Sequence, residues 1–218
     1  MITNIVLVAG GCPELWPDLT EYLEQEIFWV GIDRGSLHLI QQGIIPNMAV
    51  GDFDSLSAKE LSFVEENVAE RYYAQAEKDE TDTQMALRLV MEKANSKTNY
   101  TLIGATGGRL DHFLANLWLP LHPPFATILD RLTIKDQQNT VTYFKPGKYS
   151  VIKEADKKYL AYVTLTPVTG LTLYDAKYAL TNYDSDLPIS FASNEFVGKT
   201  TNFSFKSGRV AVIQSCDL

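Results

Sequence analysis

Met48-Ala49-Val50-Gly51-Asp52-Phe53-Asp54-Ser55 is the stretch that decides the fold. An apolar run gives way to two aspartates one residue apart, which reads as a buried strand ending in a loop. Carboxylates that close repel each other unless a positive charge sits between them, and a hard divalent cation, which takes oxygen ligands, is the usual solution. The same grammar recurs outward along the chain. Ile5-Val6-Leu7-Val8-Ala9 ends on Gly10-Gly11, Phe28-Trp29-Val30-Gly31-Ile32 ends on Asp33 beside Arg34 and Gly35, and Tyr100-Thr101-Leu102-Ile103 ends on Gly104. Short β-branched runs of this kind are buried parallel strands.

Helical patterns separate these strands. Pro13 to Glu26 is expected to be a helix, and a short one passes through Leu37, Leu39 and Ile40. Ser57-Ala58-Lys59-Glu60 and Thr81-Asp82-Thr83-Gln84 both fit the capping box, in which two side chains satisfy orphan backbone donors. Met85, Ala86, Leu89 and Val90 continue the second as a stripe, and Phe113, Leu114, Leu117 and Trp118 form another. Strand and helix in alternation give a mostly parallel sheet covered on both faces.

The pattern changes near Pro120 to Pro124. Beyond it come short alternating runs: 140–144, 159–165, 170–174, 202–205 and 209–213, with turns at Pro146-Gly147 and Ser207-Gly208. That is the pattern of an antiparallel β-sandwich. The expected fold is therefore α/β: a mostly parallel sheet domain over residues 1–125, then a smaller antiparallel β-sandwich domain over 126–218. The 218 residues suit one sizeable domain and one small one.

The balance of 27 acidic against 19 basic residues, a net charge of −8, disfavours nucleic acid as a partner. No apolar run approaches the roughly 20 residues of a membrane helix. The N-terminus has no basic region ahead of its apolar run, and the two cysteines are far apart, so a cytoplasmic protein without disulfides is expected. An acidic protein still binds nucleotide when a metal supplies the positive charge.

In open parallel sheets ligands bind beyond the carboxyl ends of strands, where Asp33, Asp52, Asp54 and the glycines after Gly104 all fall. Asp82 lies in the first turn of a helix, where a carboxylate is favoured electrostatically whatever its function. Gly104-Ala105-Thr106-Gly107-Gly108-Arg109 lets backbone amides approach a phosphate, and Arg109 adds a forked donor. It is neither the Walker nor the dinucleotide fingerprint, and a plain tight turn also accounts for it. His112 adjoins Asp111 and is either a ligand contact or a helix-start residue. Asp-x-Asp after a strand is also how haloacid-dehalogenase-type phosphatases present a nucleophile, although Ser55 and Leu56 match that pattern only in part. The C-terminal aromatics, Tyr174, Tyr178, Phe191, Phe196 and Phe203 among them, are core by default, with one or two available to face a flat cation.

Five motifs occur in a familiar order: Asp33-Arg34-Gly35; Gly51-Asp52-Phe53-Asp54-Ser55; Asp79-x-Thr81-Asp82; Gly104 to His112; and Ile189-Ser190-Phe191-Ala192-Ser193-Asn194-Glu195. In them the chain resembles the bacterial thiamine pyrophosphokinases. The resemblance implies ATP and Mg²⁺, thiamine as acceptor, and a homodimer whose active site lies between the α/β domain of one subunit and the sandwich of the other. It implies that Asp52, Asp54 and Asp82 hold the metal and carry catalysis. Asp33, Asp79, Thr81, Gly107, Gly108, Arg109, Asp111 and His112 would position ATP, and Ser193 and Asn194 would line the thiamine pocket. The alternatives are an Asp-nucleophile phosphatase and a non-catalytic nucleotide or thiamine sensor.

Overall fold

The computed structural model describes residues 2–74 and 80–217. Asp79, one of the expected nucleotide contacts, lies outside them. The chain falls into two compact units, one of Met1–Ala126 with Ile134–Gln137, the other of Thr127–Thr133 with Gln138–Leu218.

In the first unit β1 (Asn4–Val8), β2 (Ile27–Ile32), β3 (Met48–Gly51), β4 (Glu70–Tyr73) and β5 (Asn99–Ile103) alternate with α1 (Thr20–Leu23), α2 (Arg34–Gln41), α3 (Ala58–Asn67), α4 (Asp82–Lys93) and α5 (Leu110–Trp118). The strands lie in the order β5-β1-β2-β3-β4, each pair parallel. Val8 pairs with Gly31 and with Ile103, and Ile32 with Val50, so the residues following β1, β2, β3 and β5 emerge along one edge. The order reverses at β1, and that switch point opens a crevice. The expected parallel sheet is what the chain forms.

Apolar contacts over the α2 face of the sheet hold the unit together. Val6, Val8, Trp16, Trp29, Leu39 and Ile103 form one cluster. Leu37, Ile40, Ala49, Phe53, Val64 and Val68 form another. Both capping boxes are present: Ser57 Oγ accepts from the Glu60 N–H and Thr81 Oγ1 from the Gln84 N–H, with the return bonds in place. Removing the Thr81 cap with Thr81→Ala is expected to lower stability by about 1 kcal/mol. A denaturant titration reads this as a lower midpoint at an unchanged slope.

The helix expected over Pro13 to Glu26 does not form. Only a 3-10 turn at Pro13–Leu15 and the single turn α1 occur there. Pro17 has no N–H to donate and pushes the preceding residue out of the helical region, and Trp16 is accordingly extended at φ −71°, ψ 152°.

β6 (Leu132–Lys135) is shared between the units. The second unit continues with β7 (Asn139–Phe144), β8 (Gly147–Ile152), β9 (Tyr159–Thr164), β10 (Val168–Leu173), β11 (Leu180–Ser185), β12 (Ser190–Glu195), β13 (Thr200–Phe205) and β14 (Val210–Ser215). Strands run β12-β9-β14-β7 in one layer and β11-β10-β13-β8 in the other, with antiparallel pairing. Leu160, Tyr162, Val210 and Val212 from the first layer meet Leu171, Leu173, Phe203 and Phe205 from the second in one core. This is the expected sandwich, built by inward-facing alternate residues. Phe203 is fully buried, whereas Tyr174 and Tyr178, expected in the core by default, are exposed.

Candidate active site

Asp33 follows β2 directly, and its N–H donates to the Val50 carbonyl of the next strand at 2.8 Å. It adopts φ 49°, a left-handed conformation uncommon for a residue with a side chain. Asp52 and Asp54 follow β3 on either side of Phe53, itself left-handed at φ 57°. Phe53 is 2% exposed and sits in the cluster under α2 and α3, edge-on to Tyr73. The alternation therefore sinks the ring and leaves the carboxylates out of the core.

One carboxylate oxygen from each of Asp33, Asp52 and Asp54 lies within 4.8 Å of the others. Hydrogen bonds fix the arrangement. Ser55 Oγ donates to Asp33 Oδ2 at 2.8 Å, the Asp54 N–H donates to Asp52 Oδ1 at 3.1 Å, and Arg34 binds the Ser55 carbonyl while reaching Glu60 at 3.3 Å. Asp33 Oδ1 is buried and has no hydrogen-bond partner among the described residues. Burial pushes the Asp33 carboxyl above the usual carboxylate range, aided by repulsion from Asp82 and Asp52 and opposed by the Ser55 bond. Three carboxylates, one of them with an orphaned oxygen, suit a hard cation. Asp33, Asp52 and Asp54 are the residues that would hold such an ion, which takes oxygen ligands.

The raised Asp33 carboxyl makes a stability prediction. Its proton is held more tightly in the folded state, so the penalty for ionising it is absent below the unfolded pKa and complete above the folded one. Asp33→Asn is thus expected to raise the melting temperature of chelator-treated protein at pH 7.5, with the gain fading below about pH 4. A lower melting temperature in thermal scans at pH 7.5 would contradict the origin given for the shift.

Beside the acids a cavity of about 580 Å³ opens across the switch point. Ala9, Gly10 and Gly11 line it after β1, Gly104 to Thr106, Gly108 and Arg109 after β5, Thr81, Asp82 and Thr83 at the start of α4, and His112 and Asn116 on α5. Asp33 and Ser55 close the remaining side. Glycine is required where loops cross: a Cβ on Gly11 or Gly104 would collide with the backbone of the other loop, and Gly104 is left-handed at φ 68°. Thr106 Oγ1 donates to the buried Asp136 at 2.5 Å, which steadies the glycine loop.

Of the residues singled out from sequence, Asp33, Asp52 and Asp54 gather most closely. Asp82 lines the same cavity but stands outside their 4.8 Å group among the described residues. Thr81, Gly108, Arg109 and His112 line the cavity, and Gly107 is a left-handed turn residue at φ 74° against Leu15. Asp111 pairs with Arg109 at 2.6 Å on the surface, which holds its carboxyl below the usual range. Ser193 and Asn194 lie in the second unit on β12. Ser193 is exposed and left-handed at φ 59°, at a register shift between Phe191 and Asn194. Asn194 is 2% exposed, its amide bonded to the Tyr178 backbone. Sequence reading missed Ser55, Thr106 and Asn116. Ser55 was legible as a hydroxyl beside the paired acids; the other two are set by long-range contacts.

Strand-end acids and crossing glycine loops define a class first: an α/β protein with a ligand crevice at the carboxyl edge of a parallel sheet, joined to an antiparallel sandwich. Comparison with known proteins narrows it. Residues 19–128 match the family described as thiamin pyrophosphokinase, catalytic domain, and residues 148–210 match thiamin pyrophosphokinase, vitamin B1 binding domain. The chain is 37% identical over 216 residues to thiamine pyrophosphokinase of Bacillus subtilis, covering 98% of this chain and 99% of that one. A thiamin pyrophosphokinase family protein from Enterococcus faecalis superposes with a TM-score of 0.94 at 50% identity, over 99% of this chain and all of that one. The Candida albicans enzyme, at 16% identity, shares the fold at a TM-score of 0.82 over 99% of this chain and 90% of that one. The chain belongs to the thiamine pyrophosphokinase family, a family of enzymes. Neither the phosphatase nor the sensor reading is favoured by that membership.

Proposed function

We propose that this protein transfers the diphosphate group of ATP to the hydroxyl of thiamine, giving thiamine diphosphate and AMP, with Mg²⁺ at the gathered carboxylates. The observation that carries the site assignment is the approach of one carboxylate oxygen each from Asp33, Asp52 and Asp54 within 4.8 Å, with a buried oxygen of Asp33 unpartnered among the described residues. Asp52 and Asp54 are the principal metal ligands and catalytic groups; Asp33 and Asp82 complete the acidic set. When bound, the ion neutralises polyphosphate charge that bare carboxylates would repel.

The chain's own groups supply position. Gly108, the left-handed turn at Gly107 and the guanidinium of Arg109 receive phosphate oxygens. Thr81, His112 and Asp111 frame the nucleotide, and Asp79 is assigned to the same set. Phosphoryl-type transfer needs in-line placement and charge neutralisation more than a protein nucleophile. Residues 1–125 are assigned as the ATP-binding catalytic domain and 126–218 as the thiamine-binding domain. Ser193 and Asn194 serve thiamine, across the interface of a homodimer. Two free cysteines accord with a cytoplasmic setting, and among the described residues no helix is long and apolar enough to cross a membrane.

Incubation with ATP, Mg²⁺ and thiamine tests the reaction. AMP and thiamine diphosphate in equal amounts support it; inorganic phosphate released without thiamine would replace it with the phosphatase reading.

A further inference from the structure

The motif Asp33-Arg34-Gly35 sets three different tasks on consecutive residues. Asp33 brings its carboxylate to the acidic cluster. Gly35 lets the start of α2 press against β1, since a Cβ there would run into the Val8 carbonyl. Arg34, held between them, is not among the described residues that line the cavity. Its guanidinium turns instead to the loop after β3.

Arg34 Nη2 donates to the Ser55 carbonyl, and Nη1 reaches Glu60 Oε1 at 3.3 Å. Glu60 is itself fixed by the capping box of α3, its Oε2 accepting from the Ser57 N–H and Oγ at 2.8 Å each. Ser55 Oγ meanwhile donates to Asp33 Oδ2 at 2.8 Å. Two consecutive residues, Asp33 and Arg34, therefore grip Ser55 by its hydroxyl and by its carbonyl. Asp54 is the residue just before it, inside a turn that the Leu56 N–H closes on the Phe53 carbonyl at 3.0 Å. A planar fork of donors can span two such partners at once, which a single ammonium cannot.

Charge alone argues against a cation in this place. Arg34 is always protonated, follows Asp33 in the chain and binds the residue after Asp54, so it repels a metal ion held by those acids. What it supplies is geometry. We infer that Arg34 is a positioning residue of the metal site, clamping Ser55 between Asp33 and Glu60 so that Asp54 stands ready beside Asp33 and Asp52. This rests on the proposed magnesium site and adds to it a residue that touches neither ion nor nucleotide.

The test titrates Mn²⁺, without nucleotide, into chelator-treated wild type, Arg34→Gln, Arg34→Lys, Ser55→Ala and the Arg34→Gln/Ser55→Ala pair. Electron paramagnetic resonance reads the binding, and melting temperatures are recorded alongside. Arg34→Gln is expected to raise the Mn²⁺ Kd about tenfold, as when a partner that orients a metal site is lost. Relief of repulsion alone would lower the Kd, so the sign separates the two effects. Arg34→Lys keeps the charge without the fork, and its Kd is expected to rise as well, which preserves the test if Arg34→Gln does not fold. The pair is expected to weaken binding by less than the product of its two single effects, because both release the same residue. An unchanged or lower Kd in the Arg34 variants, whatever their melting temperatures, or a pair whose losses multiply fully, overturns the inference and leaves the wild-type metal site standing. A wild type without a saturable Mn²⁺ site overturns both.

Discussion

Asp52→Asn and Asp54→Asn each lower kcat by at least about a hundredfold, the usual effect of removing a key electrostatic group. The amide keeps the size and the hydrogen-bonding shape of the acid, so the Asp54 N–H still finds an oxygen at position 52. What disappears is one negative charge of a set whose oxygens lie within 4.8 Å of each other. Phe53, buried between them, holds the loop in either variant, so the fold is retained and the loss is chemical. Raising Mg²⁺ recovers part of the rate if the charge serves to hold the ion. Near-normal turnover in both variants would remove these residues from the site.

Co-expression of Asp52→Asn with Ser193→Arg restores activity that neither variant has alone, to about a quarter of wild type. Each lesion lies in a different unit of the chain. In a two-fold dimer with sites shared between subunits, random pairing makes about half the molecules mixed, and each mixed dimer has one site free of both lesions. A site contained in one chain predicts no recovery. Size-exclusion chromatography of the fully active protein as a monomer would contradict the shared site by a separate route.

The sequence reveals this site unevenly, for physical reasons. Asp52 and Asp54 are visible because an apolar strand, a glycine and two acids are contiguous. The capping boxes of α3 and α4 are equally local, and both form as read. The closeness of Asp33 to the pair is a property of strand register, Ile32 beside Val50, which no local pattern displays. Pro13 to Glu26 carries a helical periodicity that Pro17 interrupts, leaving Trp16 extended and only short turns on either side. In the sandwich, β12 escaped notice since its register shift breaks the alternation, leaving exposed Ser193 next to buried Asn194. Asn194 was legible as a motif residue, but its bonds to Tyr178 span 16 positions.

Manganese, a spectroscopic substitute for magnesium at oxygen sites, reads the acidic cluster directly. Titrated into chelator-treated protein without nucleotide and followed by electron paramagnetic resonance, Mn²⁺ is expected to fill a saturable site in the wild type. That site is lost in Asp52→Asn and Asp54→Asn and weakened in Asp33→Asn. Undiminished binding in all three variants would mean that these carboxylates do not hold the ion.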